Sequence, residues 1–173
     1  MRPPRAGDGA LLFEAVSEAI PELRRFLAFL PWVASEQSVE ASEIYCRTAQ
    51  SNFIARRDMV YLVFERSTSG LVGCAGLHRP DWAVPKFSVG YWCRPSQSGK
   101  GLVSESVTAL VGLAFERLAA VRIDLVTDEE NMNSRKVAER CGFLLEGVMH
   151  NENRAPDGSL RNACIYALTR NAA

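Results

Sequence analysis

The run Gln97-Ser98-Gly99-Lys100-Gly101-Leu102 places two glycines and a lysine between a strand pattern and a helix pattern, an arrangement suited to binding phosphate. A turn leading into a helix leaves the first backbone N–H groups unpaired, and glycine lets the chain come close to an anion. Two nucleotide loops fail to match. A Walker-type loop needs a glycine five residues before the Gly-Lys pair and a Ser or Thr after it, but Arg94 and Gly101 occupy those places. A dinucleotide fingerprint needs a third glycine where this chain has Ser104.

The flanking elements follow from periodicity. Lys86 to Cys93 alternates Phe87, Val89 and Tyr91 with Ser88, Gly90 and Trp92, which is a strand ended by Arg94-Pro95 because proline has no ladder donor. Beyond Leu102, Val103, Val107, Leu110, Ala114 and Leu118 recur at helical spacing, while Glu105, Thr108, Gly112 and Glu116 trace another face. Glu105 falls in the first turn, where a carboxylate complements the helix dipole.

A second block is Asn131-Met132-Asn133-Ser134-Arg135-Lys136-Val137-Ala138-Glu139-Arg140-Cys141-Gly142-Phe143, followed by Glu146-Gly147. Asn131 or Asn133 suits a helix N-cap, Val137, Ala138 and Cys141 form an inward stripe, and Gly142 suits the residue after the last turn.

Together the two blocks resemble the GNAT superfamily of N-acetyltransferases, and among them the RimJ/RimL-like protein N-acetyltransferases, over most of the chain from about Asp58. Gly99 and Gly101 match the small positions of the family's pyrophosphate loop. Its leading Gln or Arg position falls on Ser96, with glutamine one residue later at Gln97. The second block matches the family's Asn-x-x-Ser segment that ends in Gly-Phe.

The resemblance implies transfer of an acetyl group from acetyl-coenzyme A to a primary amine by direct attack, without an acyl-enzyme. It assigns the backbone around Tyr91, Trp92 and Cys93 to the pantetheine arm, a bulge there splaying two parallel strands. Gln97, Ser98, Gly99, Lys100, Gly101 and Leu102 would receive the pyrophosphate, and Asn133 the arm from its other side. Ser134 would protonate the leaving thiolate. A count from Ser134 to the family's glutamate reaches Asn153, with Glu152 beside it as the candidate base. The expected acceptor is a protein N-terminal amine of the ribosomal-protein type. A polyamine, amino acid or antibiotic remains the alternative, as does a non-catalytic coenzyme-A-binding protein. Residues such as Trp32, Trp82 and Arg154 would line the acceptor region. His78 and Asp81 lie in a segment expected to be a loop near the cleft, where an imidazole could take a proton.

The remaining chain reads as a helix through Leu11, Leu12, Ala15, Val16 and Ala19 capped by Asp8, and a second short one from Pro21 through Leu30. A longer helix spans Gln37 to Arg57, with Ile44, Cys46 and Phe53 inward. Val60 to Glu65 and Leu71 to Leu77 form a hairpin, Val121 to Thr127 a buried parallel strand, and Phe143 to Met149 with Asn162 to Leu168 a last hairpin around Pro156-Asp157-Gly158. The expected fold is α/β, a single domain over residues 1–173 with a mostly antiparallel mixed sheet, a splayed parallel pair and flanking helices. By the resemblance, the first strand is reduced to a stub before Asp8. Such an edge, with the family's habit of pairing, points to a homodimer.

At 173 residues, with 47% hydrophobic and 23% charged residues, the chain suits one soluble domain with a sizeable core. Twenty basic residues balance twenty acidic ones, which argues against nucleic acid as a partner. The five cysteines are scattered and odd in number, reading as reduced thiols with no metal site. No apolar run approaches the ~18 residues of a membrane span, so no membrane partner is expected and the cytoplasm is the expected compartment.

Overall fold

A computed structural model describes residues 1–170; the expected domain's last three residues lie outside the described part. The chain opens with helices α1 (Gly9–Leu27), α2 (Pro31–Ala34) and α3 (Val39–Ile54), followed by strands β1 (Met59–Phe64), β2 (Leu71–Asp81) and β3 (Lys86–Cys93). One 3₁₀ turn, Pro95–Gln97, leads to α4 (Leu102–Arg117), β4 (Arg122–Asp128), α5 (Met132–Arg140), β5 (Leu144–Arg154) and β6 (Leu160–Thr169). The strands lie in the order β1-β2-β3-β4-β6-β5.

Every neighbouring pair is antiparallel except β3 and β4. That parallel pair is joined only where Lys86, Phe87 and Ser88 face Arg122, Ile123 and Asp124. Beyond Ser88 the strands part, so β3 from Val89 to Cys93 has an unpaired edge toward β4. The expected splay is present, but not the expected bulge. The β2–β3 register runs unbroken from Gly73↔Cys93 to His78↔Ser88. Divergence of the two strands opens the sheet instead.

The sheet is covered on both faces. On one, Val107, Leu110 and Ala114 of α4 are buried in a cluster with Leu77, Phe87, Val89 and Ile123. On the other, Leu12, Ala15 and Val16 of α1 and Cys46 of α3 are buried with Val60, Leu62 and Cys74. Fully burying one such aliphatic side chain stabilises the fold by roughly 1.5–3 kcal/mol. These two layers fix the sheet from which the cleft is cut.

Several sequence expectations change. Pro21 does not start a new helix but lies inside a continuous α1. Both Pro21 and Ser17 are exposed, so the carbonyl deprived of its N–H donor faces water. Asp8 occupies the N-cap position without a side-chain capping bond. Its carboxylate binds the Arg2 guanidinium at 2.6 and 2.7 Å, while Glu43 of α3 accepts from the N–H groups of Gly7 and Gly9. Ile44 is 59% exposed, whereas Ser42, Cys46 and Ala49 turn inward. Residues two apart cannot share a helical face, and Cys46 takes the buried one.

Residues 78–81 prolong β2 rather than forming a loop. The final hairpin has longer strands than the periodicity predicted. Arg2 pairs with Leu62 through backbone bonds of 2.8 and 3.1 Å, and among the described residues most of the outer edge of β1 has no neighbouring strand.

Candidate active site

The two-glycine segment forms a cradle at the start of α4. Gly99 and Gly101 have φ of 78° and 79°, the left-handed region that glycine enters without a Cβ penalty, and apart from their immediate chain neighbours nothing lies within 4 Å of where either Cβ would stand. The N–H groups of residues 99–104 donate to no acceptor among the described residues, whereas those of Gln97 and Ser98 close the 3₁₀ turn. Six unsatisfied donors on an open, glycine-bearing turn therefore fit an anionic pyrophosphate.

Side chains anchor the approach to this cradle. Arg94 binds Glu18 at 2.6 Å and Glu14 at 2.9 Å on α1, and the Ser96 N–H donates to Glu18 at 2.7 Å. Ser96, at the family's leading position, is thus tied to α1 by its backbone. Hydrogen bonding by Ser96, then Arg94, holds the Glu18 carboxyl down to about 2. Lys100 donates to the Gln97 side-chain oxygen at 2.8 Å, so two predicted cradle residues meet each other.

Tyr91 reaches from β3 to the start of α5. Its hydroxyl lies 3.0 Å from both the carbonyl oxygen and the Oγ of Ser134. Burial, only partly opposed by the Ser134 hydrogen bond, raises its pKa and keeps the phenol protonated near neutrality. Asn131 is the N-cap, its Oδ1 accepting from Ser134 N at 3.1 Å, which leaves the exposed Asn133 side chain in the cleft wall. In the stripe expected for α5, Ala138 is fully buried and Val137 and Cys141 only partly so.

A polar row crosses the opposite side of the cleft. His78 Nδ1 lies 2.6 Å from Asp58 Oδ1, while Asp81, three residues on, faces Lys86 at 3.5 Å. Ser88, opposite His78 in the ladder, donates to Asp124 and accepts from Arg79 at 2.9 Å. Arg79 has φ 50°, and the β2–β3 register breaks after His78. A left-handed non-glycine residue costs roughly 1–2 kcal/mol, so the strand bends at this row against a local penalty.

These parts line one cleft of ≈ 1630 Å³, which also includes Phe29, Trp32, Tyr45, Glu152 and Asn153. That exceeds the roughly 300–1,000 Å³ typical of a site for one drug-sized ligand, leaving room for two substrates. Glu152 lies in the irregular part of β5 between the paired residues Met149 and Asn153, next to Asn151 with φ 56°. Its side chain is exposed at the cleft wall. Trp32 lines the cleft, but Trp82 and Arg154 do not: Trp82 packs edge-on to Phe87, and Arg154 donates to Gly158 O.

Cys93 and Trp92 also line the cleft, Trp92 packing against α1 on the other face of β3. Burial raises the pKa of Cys93 and Cys164, and that of Cys46 to about 11, so these thiols are poor sources of thiolate near neutrality. Among the described residues, no three His, Cys, Asp or Glu side chains converge as a metal site.

The Asp58 partner of His78 escaped the sequence reading. Its only signal was position: Asp58 immediately precedes β1, whose Met59 pairs with Leu77, and this register brings it beside residue 78. The Tyr91–Ser134 contact carried no sequence signal, because 43 residues separate its partners.

The cradle of unpaired N–H groups thus lies beside a parted parallel pair of strands. The sequence profile of the Acetyltransferase (GNAT) domain matches residues 1–144, and the chain belongs to this family. Among relatives, YdaF of Bacillus subtilis (strain 168), named as a candidate ribosomal N-acetyltransferase, is 35% identical over 107 residues. That alignment covers 62% of this chain and 54% of YdaF. The ribosomal-protein-serine acetyltransferase of Escherichia coli (strain K12) is 26% identical over 65% of this chain and 64% of its own. The chain therefore spans about half the length of one relative and under two thirds of the other.

Among solved structures, RimL, a ribosomal L7/L12 alpha-N-protein acetyltransferase in complex with coenzyme A, superposes with a TM-score of 0.89 at 22% identity. The match covers 99% of this chain and 94% of RimL. RimJ of Mycobacterium smegmatis gives 0.84 at 22% identity, covering 97% and 80%. At these identities the likeness establishes the fold. Among the described residues, no helix is long and apolar enough to cross a membrane.

Proposed function

We propose that this protein transfers an acetyl group from acetyl-coenzyme A to the N-terminal α-amine of a protein of the ribosomal type, as a single-domain enzyme of the cytoplasm. The carrying observation is the row of unpaired N–H groups at residues 99–104 beside the unpaired edge of β3 in one cleft. Gly99, Lys100, Gly101 and Leu102 receive the pyrophosphate through their free N–H groups, whereas those of Gln97 and Ser98 are used by the 3₁₀ turn. The backbone of Tyr91, Trp92 and Cys93 pairs with the pantetheine arm, and Asn133 binds it across the gap.

The acceptor enters from the side of α2, where Phe29 and Trp32 are 49% and 38% exposed and offer apolar contact to the residues after a peptide's first. Glu152 draws the ammonium group by charge. A neutral amine attacks the thioester carbonyl, and backbone donors stabilise the oxyanion. Ser134, bonded to the protonated Tyr91, supplies the proton that the departing thiolate needs. An α-amine suits this chemistry because it titrates at about 7.7–8.0, whereas a lysine amine, at about 10.4, is almost wholly charged at neutral pH.

The uncovered outer edge of β1 supports a homodimer. Light scattering giving one chain's 19.1 kDa at micromolar concentration, with full activity, would exclude pairing as a requirement. The activity is tested by offering acetyl-coenzyme A with N-terminal peptides, lysine peptides, polyamines and antibiotics while following thiol release. Turnover of α-amine peptides is expected. Coenzyme A binding with no turnover of any amine would reduce the protein to a binding module.

A further inference from the structure

We infer that His78, oriented by Asp58, is the base that takes the proton from the acceptor's amine. The inference rests on the proposed acetyl transfer and gives a specific proton acceptor to that reaction.

The geometry leaves His78 one nitrogen for chemistry. Nδ1 is engaged with Asp58 Oδ1 at 2.6 Å, so the free position is Nε2. Both partners are about one third exposed, and both line the cleft. Two glycines make room for the ring. A Cβ on Gly76 would stand 3.0 Å from Cε1 and Nε2, and one on Gly90 would stand 3.0 Å from Cδ2 and Nε2. Any side chain at either position would therefore crowd the imidazole. Nε2 is thus held over the β2–β3 ladder at Gly90, two residues beyond Ser88, the last residue paired to β4. The ring lies where the parallel pair begins to part.

Orientation by a carboxylate is what an imidazole base requires. Asp58 fixes the tautomer with the proton on Nδ1, leaves the Nε2 lone pair to accept a proton and stabilises the imidazolium that forms. Tyr45, Cys74, Arg79, Lys86, Asp124 and Glu152 also line the cleft, but Asp58 is the group hydrogen-bonded to His78. Glu152, by contrast, is an exposed residue in an irregular strand with no hydrogen-bonding partner among the described residues to orient it.

The proton count closes. The ammonium gives one proton to Nε2, and the resulting amine forms the C–N bond to the thioester carbonyl. The C–S bond breaks as the second proton leaves nitrogen for solvent, Ser134 gives one proton to sulfur and regains one from solvent, and the third stays on the amide. The imidazolium returns its proton to solvent.

The test compares wild type, His78→Gln, His78→Ala, Asp58→Asn and Glu152→Gln in turnover of an α-amine peptide, with coenzyme A affinity measured by calorimetry. His78→Gln should lower kcat at pH 7 about 100-fold and abolish the fall of kcat at low pH, leaving coenzyme A affinity unchanged. His78→Ala leaves a slot above Gly76 and Gly90, and added imidazole should restore part of its rate. Asp58, as a positioning residue, should cost about tenfold when changed to Asn. That loss should fall on kcat, with the acceptor KM and coenzyme A affinity unchanged, a split that a general loss of folding would not produce. An unchanged kcat and pH profile in His78→Gln, with wild type turning over normally, would overturn the base while leaving acetyl transfer intact. Loss of the low-pH fall in Glu152→Gln but not in His78→Gln would likewise overturn it. A wild type that binds coenzyme A but acetylates no amine overturns the transfer reading and the base with it.

Discussion

The two sides of the cleft are built from different material. On the proposed coenzyme side the contacts would come from backbone: the N–H groups of residues 99–104 and the free edge of β3 after Ser88. On the proposed acceptor side they would come from side chains contributed by α2, β2, β5 and the residue before β1, namely Trp32, His78, Glu152 and Asp58, which line the cleft. Backbone geometry depends on a few local residues, chiefly glycines, and tolerates wide change elsewhere. A side-chain wall depends on distant segments arriving in register, and each substitution there alters one contact. The lesson is that the coenzyme half can persist while the acceptor half changes its substrate.

The sharpest way to break the contrast is Gly99→Val. A β-branched residue at φ 78° is strained, so the turn that presents the N–H row would have to shift. Coenzyme A affinity should fall by about 100-fold or more by calorimetry in a chain that still folds. An affinity retained within a few-fold would mean that the cradle is not the phosphate site.

Ser134→Ala probes the boundary between the two sides. It should lower kcat by about 30-fold with coenzyme A affinity within a factor of two, because protonation of the thiolate matters in the transition state. A matched loss of affinity would place Ser134 on the binding side instead.

A smaller effect is expected on the acceptor wall. Glu152→Gln should raise the acceptor KM by about fivefold, with kcat little changed, as expected when one exposed attraction is lost. A fall in kcat without a change in KM would contradict its role in drawing the amine.

The smallest effect concerns the clamp that holds the cradle to α1. The carboxyl of Glu18 titrates at about 2 in the fold against 4.5 for an ordinary glutamate. A depressed value favours the folded state above pH ~4.5, and that contribution disappears as pH falls toward 2. Glu18→Gln should therefore destabilise the protein by roughly 1 kcal/mol at pH 7, after discounting for solvent screening, and by nothing near pH 2. Urea unfolding at both pH values measures this. An equal loss at both would exclude the charge as its cause.

The strands and helices were legible wherever one face is buried. Phe87, Val89 and Tyr91 of β3, and Val107, Leu110 and Ala114 of α4, repeat at the period of the element they form. Ile44 was misread because an apolar residue is an ambiguous mark of burial when a neighbour two positions on competes for the inward face. Pro21 was misread because a proline on the water-facing side of a helix loses a bond that solvent replaces.

The sequence by itself determined the cradle and the α5 block, because each is continuous in the chain: glycines permit the left-handed turn, and Asn131 caps the helix three residues before Ser134. Only the tertiary structure decided the pairing of His78 with Asp58 across 20 residues, of Tyr91 with Ser134 across 43, and of Arg94 with Glu18 across 76. Strand register and helix packing bring these groups within hydrogen-bonding distance, and neither is written in any local run of residues. The parting of β3 from β4 after Ser88 belongs with them, because it reflects how two strands diverge rather than the composition of either.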